Sequence, residues 1–258
     1  EPGARLVPFA GFEMPVVYTS ILEEHRHVRA RAGLFDVSHM GEIRLRGPQS
    51  AALAQRVFTN RVSDLRPGMV RYGLWWDERG GVVDDTTLYC VAPDEFLFCV
   101  NAATAADDLS WLRAVHTDTG FECSVTDETE ATALIAIQGP EARAIAHAAL
   151  GSDSPQPRRW HFAVSKFDGA PIWLSRTGYT GEDGYEVYLP SGHAVALWEA
   201  LLEAGHGGLM PIGLAARDTL RTEMAYSLYG HEIDRSINPL EADLERFGIK
   251  AWGAVKPP

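Results

Sequence analysis

Lysine is almost missing from this chain. Lys166, Lys250 and Lys256 are its three examples, and no run of Lys and Arg occurs anywhere. With a net charge of −12, no basic face is available to neutralise phosphates, which excludes duplex nucleic acid as a partner. Cysteine is equally sparse: Cys90, Cys99 and Cys123 are odd in number and show no CxxC spacing. That pattern fits free, buried thiols in the reducing cytoplasm, not a disulfide framework or a zinc site. No apolar run approaches the roughly 18–20 residues of a membrane span. The opening EPGARLVPFAGF lacks the basic-then-apolar order of a signal peptide. Missing too are a Gly-Lys-Ser/Thr phosphate loop, a Gly-x-Ser-x-Gly elbow and any His/Cys/Asp set with metal-ligand spacing.

What is there belongs to a globular chain of 258 residues, long enough for one large domain or two ordinary ones. SILEEHRHVRARAG predicts a helix, with Ser20 and Glu23 as a capping box and Gly33 as its stop. GEIRLRG reads as a strand and GPQSAALAQRVF as a helix with Pro48 near its first turn. MVRYGLWWD and VVDDTTLYCV are strands joined by ERGG, a hairpin signal, and EFLFCVN is a third. TAADDLSWLRAV predicts a helix capped by Thr104. TALIAIQ is a strand that leads through Gly139-Pro140 into the helix PEARAIAHAAL; 151–159, GSDSPQPRR, reads as a flexible loop. FAVSKFDGAPIWLSRT predicts a hairpin turning at Asp168-Gly169, GYEVYLP a strand, and SGHAVALWEALLEAG and GLAARDTLRTEMAY the last two helices. Hairpin links are as frequent as helical ones, so the expected class is α+β with antiparallel sheets.

Three stretches could carry chemistry. In GGVVDDTTLY, Asp84 and Asp85 occupy the middle of a strand, where Asp is disfavoured. Alternation sends them to opposite faces. Either both are solvated near a hairpin end, or one is buried and needs a partner, since a lone buried carboxylate costs several kcal/mol. RTGYTGEDGYE, 176–186, is a tight loop with three glycines. It is an ornate connection, or it presents Tyr179 and Glu186 to a flat heterocycle with N–H donors. GLAARDTLRTE, 213–223, places Arg217 and Arg221 four apart on one helical face, as a solvated ion-pair network or as a site. His39, in Ser-His-Met-Gly, is catalytic or merely polar.

Taken in order, FAGFEMP (9–15), GLFDVSHMGE (33–42), ERGGVVDDTTLY (78–89), VNAA (100–103), LIAIQGP (134–140), SRTGYTGEDGYEVYLP (175–190), GLAARDTLRTE (213–223) and LYGHEID…NPLEA (228–242) resemble the glycine-cleavage T-protein family, the aminomethyltransferases. The resemblance implies a cloverleaf of antiparallel-sheet domains around a central folate channel. It implies a transferase that uses tetrahydrofolate: the methylene of an aminomethyl group on a dihydrolipoyl carrier passes to the folate, giving 5,10-methylenetetrahydrofolate and ammonia. By motif match Asp85 is the catalytic carboxylate, with Asp84 its partner on the other face. Asn101, Tyr179, Glu186 and Arg217 hold the folate; Met40 and Tyr72 line the same channel, and Cys99 turns its backbone to the pterin. No metal is implied.

The resemblance also sets expectations for organisation. A first folate-binding subdomain is expected from 1–45 with 135–242, a second antiparallel-sheet subdomain from 46–134, and a tail from 243–258 where the family carries a small β-barrel domain. A relative without that barrel would act on a free small molecule, for example as a folate-dependent demethylase, instead of on the lipoyl carrier protein (H-protein). Trp75-Trp76 and Thr104 depart from the family pattern and are expected to reshape the acceptor side of the channel.

Overall fold

The computed structural model describes residues 3–245. In chain order, β1 (Arg5–Phe9) and β2 (Phe12–Val17) form a hairpin, followed by α1 (Ile21–Ala30) and β3 (Ala32–Asp36). The middle of the chain holds β4 (Gly41–Arg46), α2 (Ser50–Val57), β5 (Val70–Trp76), β6 (Val82–Ala92), β7 (Glu95–Val100), α3 (Ala105–Thr119) and β8 (Ser124–Asp127). Then come β9 (Thr132–Gln138), α4 (Ala142–Leu150), β10 (Phe162–Phe167), β11 (Ala170–Ser175), β12 (Gly184–Pro190), α5 (Ala194–Ala204), β13 (Leu209–Pro211) and α6 (Leu214–Glu223).

These elements make two compact units, 3–39 with 130–226 and 40–129 with 227–245. The first unit contains the β1-β2 hairpin and a sheet ordered β10-β11-β12-β9-β3-β13; the second contains a sheet ordered β5-β6-β7-β4-β8. Every strand pair is antiparallel except β13 with β3. The class is α+β with antiparallel sheets, as the sequence predicts.

Boundaries differ from the sequence reading for physical reasons. β4, expected to start in the first subdomain, hydrogen-bonds to β7 and β8 and so belongs to the second unit. The segment 227–242, expected with the first subdomain, packs Ile233 onto Leu74 and Val82 of the second. The Val82 N–H lies 3.1 Å from the carbonyls of Asp234 and Ile237. Of the 243–258 tail, all beyond 245 lies outside the described residues.

Local signals account for most elements. Asp168 and Gly169 take φ of 47° and 76°, the left-handed pair that a two-residue hairpin between β10 and β11 needs. Ser20 caps α1 by accepting the Glu23 N–H at 3.2 Å. Gly33 does not stop α1, which ends at an Arg31 cap; it lies inside β3, where a Cβ would sit 2.5 Å from Ile212 and Val28 side-chain carbons. Thr104 caps α3 by position alone, since its hydroxyl donates to the Asn101 carbonyl at 3.1 Å. The 151–159 loop is tethered at two points, by Ser154 to His147 (2.6 Å) and by Gln156 to Arg143 (2.7 Å).

Each unit has its own core. In the second, Leu53, Val57 and Phe58 of the α2 region and Leu112 of α3 pack onto Ile43, Leu45, Trp75, Leu88 and Phe98. In the first, Leu197 and Leu201 of α5 and Ile145 of α4 cover Leu34, Ile135, Ile137, Leu174 and Val187. Each such fully buried side chain stabilises by about 1.5–3 kcal/mol. Trp75 is one of these core residues, set edge-on against Phe98 at 4.8 Å. This corrects the expectation that it reshapes an acceptor surface.

One buried acidic side chain holds the first unit's helices in place. Glu24 is fully buried and accepts the N–H groups of Tyr18 (2.7 Å), Thr19 (2.9 Å) and Gly213 (2.8 Å). Gly213 is the α6 N-cap and has no side chain of its own to satisfy that turn. Glu24→Ala frees three donors; the exposed Thr19 N–H can turn to water, and the other two cost about 1–3 kcal/mol each when unpaired. The expected result is a melting temperature lower by roughly 4–24 °C, with Glu24→Gln in between. An unchanged melt would refute the role.

Candidate functional site

The strand β6 carries the two acids to opposite faces of its sheet, as alternation requires. Asp84 is in register with Trp75, on the core face; Asp85 is in register with Leu74, on the other. Asp84 is fully buried, whereas Asp85 is half-buried. Asn101, just past the end of β7, joins them. Its Nδ2 donates to Asp84 Oδ1 and Asp85 Oδ1, both at 2.8 Å, and its backbone N–H donates to Asp84 Oδ2 at 2.9 Å. The Tyr72 hydroxyl donates to Asp85 Oδ2 at 3.1 Å. Burial, then the charge of Asp84, pushes the Asp85 carboxyl up to about 7, with Asn101 and Tyr72 pulling the other way. Such an acid can hold or release a proton near neutral pH.

Cross-strand register extends this face. Tyr72 pairs with Thr87, Thr87 with Cys99, and Cys99 with Glu42. Glu42 is buried, and burial together with Asp127 and Glu128 pushes its carboxyl up to about 9. Sequence inspection missed Glu42, because its GEIRLR context reads as an ordinary alternating strand. Met40 stands immediately before β4, outside the hydrogen-bonded set of Tyr72, Asp85, Asn101 and Asp84.

A second set lies in the first unit. Glu186 on β12 sits in register with Ser175 of β11, and the Thr177 hydroxyl donates to its Oε2. Burial raises the Glu186 carboxyl, partly offset by Thr177 and by the Arg217 charge. Arg217 of α6 lies over the Tyr179 ring at 4.8 Å, and Tyr179 stacks on Tyr226 at 5.8 Å. His39 is buried and edge-on to Phe9 at 5.7 Å. Burial, with the Arg217 charge second, lowers its imidazole to about 3, so His39 is neutral at physiological pH.

The loop 176–183 is shaped by Gln138 at the end of β9. Its Nε2 donates to the carbonyls of Thr177 (3.1 Å) and Tyr185 (3.3 Å), and its Oε1 accepts from Thr180 at 3.0 Å. Gly178 runs so close that a Cβ would fall 1.9 Å from Gln138 Oε1. Gly184 takes φ 158°, with a Cβ site 2.1 Å from the Ile137 carbonyl. The Arg176–Asp183 pair, at 2.7 and 2.8 Å, closes the loop. Arg221 serves the helix itself through Asp218 (2.8 Å) and the Tyr226 carbonyl (3.1 Å), while Glu223 pairs with Arg29 at 2.6 Å. The two arginines of the motif thus differ: Arg221 serves the end of its own helix, and Arg217 lies over the Tyr179 ring. Gln138 also went unseen in the sequence, where it closes an apolar run and carries no spacing signal.

The fold is α+β, and each unit carries its own cluster of polar and aromatic side chains: Tyr72, Asp85 and Asn101 in the second, Tyr179, Glu186 and Arg217 in the first. The family model described as the GCVT N-terminal domain matches residues 1–250, and the chain belongs to that family. It is 45% identical over 245 residues to an aminomethyltransferase of Halothermothrix orenii, covering 95% of this chain and 68% of that one. An aminomethyltransferase of Chlorobaculum tepidum is 46% identical over 245 residues, with 94% and 67% covered. The crystal structure of glycine cleavage system aminomethyltransferase T from Bartonella henselae superposes with a TM-score of 0.85 at 36% identity, covering 98% of this chain and 66% of that one. The chain therefore spans about two thirds of the length of the relatives it matches. One chain of the heterotetrameric sarcosine oxidase of Corynebacterium sp. U-96 shares the fold at 16% identity and a TM-score of 0.51.

Proposed function

We propose that this chain is a tetrahydrofolate-dependent aminomethyltransferase of the glycine-cleavage type. The observation that supports it most is 45% identity along 95% of the chain to an aminomethyltransferase. Bound tetrahydrofolate supplies the nitrogen nucleophiles that take the methylene from an aminomethyl thioether, giving 5,10-methylenetetrahydrofolate, ammonia and the free thiol. The residues fit such a ligand. Glu186 has its Oε2 held by Thr177 and offers Oε1 to ring N–H groups. Tyr179 and Arg217 offer a stacking face with a cation on it. Met40 lines the ligand's path, and Cys99 lends it backbone contact.

Asp85 is the catalytic group in this reading. Tyr72 and Asn101 fix its carboxylate, so it is oriented before the substrate arrives. It stabilises positive charge developing on nitrogen and can take up a proton released there. The aminomethyl donor is a lipoyl carrier protein, the H-protein, and the setting is the cytoplasm. Among the described residues no helix is long and apolar enough to cross a membrane.

A product assay tests this reading. The protein is incubated with tetrahydrofolate and aminomethyl-lipoyl carrier protein, and separately with methylated small molecules, and folate products are resolved by mass. Methylenetetrahydrofolate with the carrier is the expected result. Methyltetrahydrofolate from a free methylated donor would replace this reading with a demethylase.

A further inference from the structure

Asp108 on α3 presents a problem that the catalytic assignment leaves open. Its side chain is fully buried; the Thr104 hydroxyl beside it donates to the Asn101 carbonyl at 3.1 Å, which leaves both carboxyl oxygens without a hydrogen-bond donor among the described residues. Beside Thr104, the side chain that faces it is another fully buried acid, Asp84 of β6, which shares with Trp75 the sheet face that α3 packs on. Two ionised carboxylates do not share a dry space; a single proton between them turns a repulsion into a strong hydrogen bond. Asp84 in turn spends both oxygens on Asn101, Oδ2 on its backbone N–H and Oδ1 on its Nδ2. The same Nδ2 reaches Asp85. A continuous chain therefore runs Asp108, Asp84, Asn101, Asp85, from the interior of the core to the other face of the sheet.

We propose that Asp108 is a positioning residue for the transfer reaction: by sharing one proton with Asp84 it locks that carboxyl against Asn101, whose carboxamide then holds Asp85 in one orientation. Asp108 touches no reacting atom. The inference rests on the aminomethyltransferase reading, in which Asp85 does the chemistry.

Charged neighbours are consistent with one proton in the pair. From α3 itself Asp107 adds negative charge; from the 227–245 segment Arg235 adds positive charge, as a lesser influence than burial. Tyr229, from the same segment, is pushed up to about 12 by burial above all, so it stays neutral. Asp85, from β6, and Asp234, from the 227–245 segment, are further acids of this neighbourhood. Burial raises both members: Asp84 goes well above its ordinary value, and Asp108 to about 7. Carboxyls raised in this way contribute stability in full below about pH 4, and lose it as pH climbs through their folded values.

Asp108→Asn and Asp108→Ala separate the possibilities. Asn can donate to, or accept from, Asp84 as the acid does, so kcat is expected within about threefold of wild type. Ala leaves Asp84 without its partner and Asn101 free to turn, so kcat is expected to fall about tenfold or more, with the KM for tetrahydrofolate within about threefold. Relative to wild type, Asp108→Asn should also gain melting temperature between pH 5 and pH 8, by roughly 5 °C. An unchanged kcat in the Ala variant, an Asn variant that falls as far as Ala while still folded, or a flat melting difference would each overturn the proposal. The melting comparison needs no substrate. If wild type makes no methylenetetrahydrofolate, the aminomethyltransferase reading fails, while a flat or rising melting difference still decides the acid pair separately.

Discussion

Asp85→Asn is expected to lower kcat by roughly 10²–10⁴ while leaving the fold intact. The amide keeps the size of the carboxyl and can still bond Tyr72, but it offers neither negative charge nor a proton acceptor. In the wild type, burial and the neighbouring Asp84 bring this carboxyl to about 7. Its ionised form is thus scarce below neutrality and dominates above it, so kcat/KM should rise through about pH 7. Asp85→Asn should erase that limb. The same raised value means that ionising Asp85 works against folding as pH rises through 7, so the variant should melt no lower than wild type at pH 8. The check is turnover of tetrahydrofolate and aminomethyl-lipoyl carrier protein across pH 5.5–9, read by mass. A rate near that of wild type, or an acid limb that survives the substitution, would remove Asp85 from the mechanism.

Glu186→Gln is expected to act on binding instead of on chemistry. A carboxylate accepting ring N–H groups contributes about 1.5–3 kcal/mol per charge-assisted bond. Replacing it by an amide, which adds a mismatched donor, should weaken tetrahydrofolate binding by about 10- to 100-fold. The Thr177 hydroxyl remains able to donate to the Gln oxygen, so the loop 176–183, held by Gln138 and Arg176–Asp183, should keep its shape. Titrating the protein with 5-formyltetrahydrofolate and following intrinsic fluorescence gives the dissociation constant directly. Turnover at saturating folate should fall far less than affinity. Unchanged affinity would mean that this acid faces no ligand N–H.

Much of the architecture is readable in the sequence because turns and caps are local. Asp168-Gly169, Ser20 and the ERGG turn each fix their element through a few neighbouring dihedrals. Gly33 misleads for the opposite reason. Close packing against Val28 and Ile212, which only the folded chain brings together, places it in β3 instead of at a helix end. The edge strands β8 and β13 are four and three residues long and carry no periodic signal. The segment after α6 reads as an extension of the first unit until Ile233 meets Leu74 and Val82.

The candidate site divides along the same line. By itself the sequence determined that Asp84 and Asp85 point to opposite faces, because side chains on a strand alternate whatever surrounds them. It also determined that a glycine-rich turn precedes Gly184, where β12 begins, since three glycines within seven residues break any regular element. Tertiary structure alone decided which acid faces inward, that Asn101 bridges the two, and that Asp108, from a helix 24 residues farther on, meets Asp84 inside the core. The reason is electrostatic: a buried carboxyl is tolerated only where a partner meets it. That partner is set by how a helix lies across a sheet, which no local stretch of sequence records.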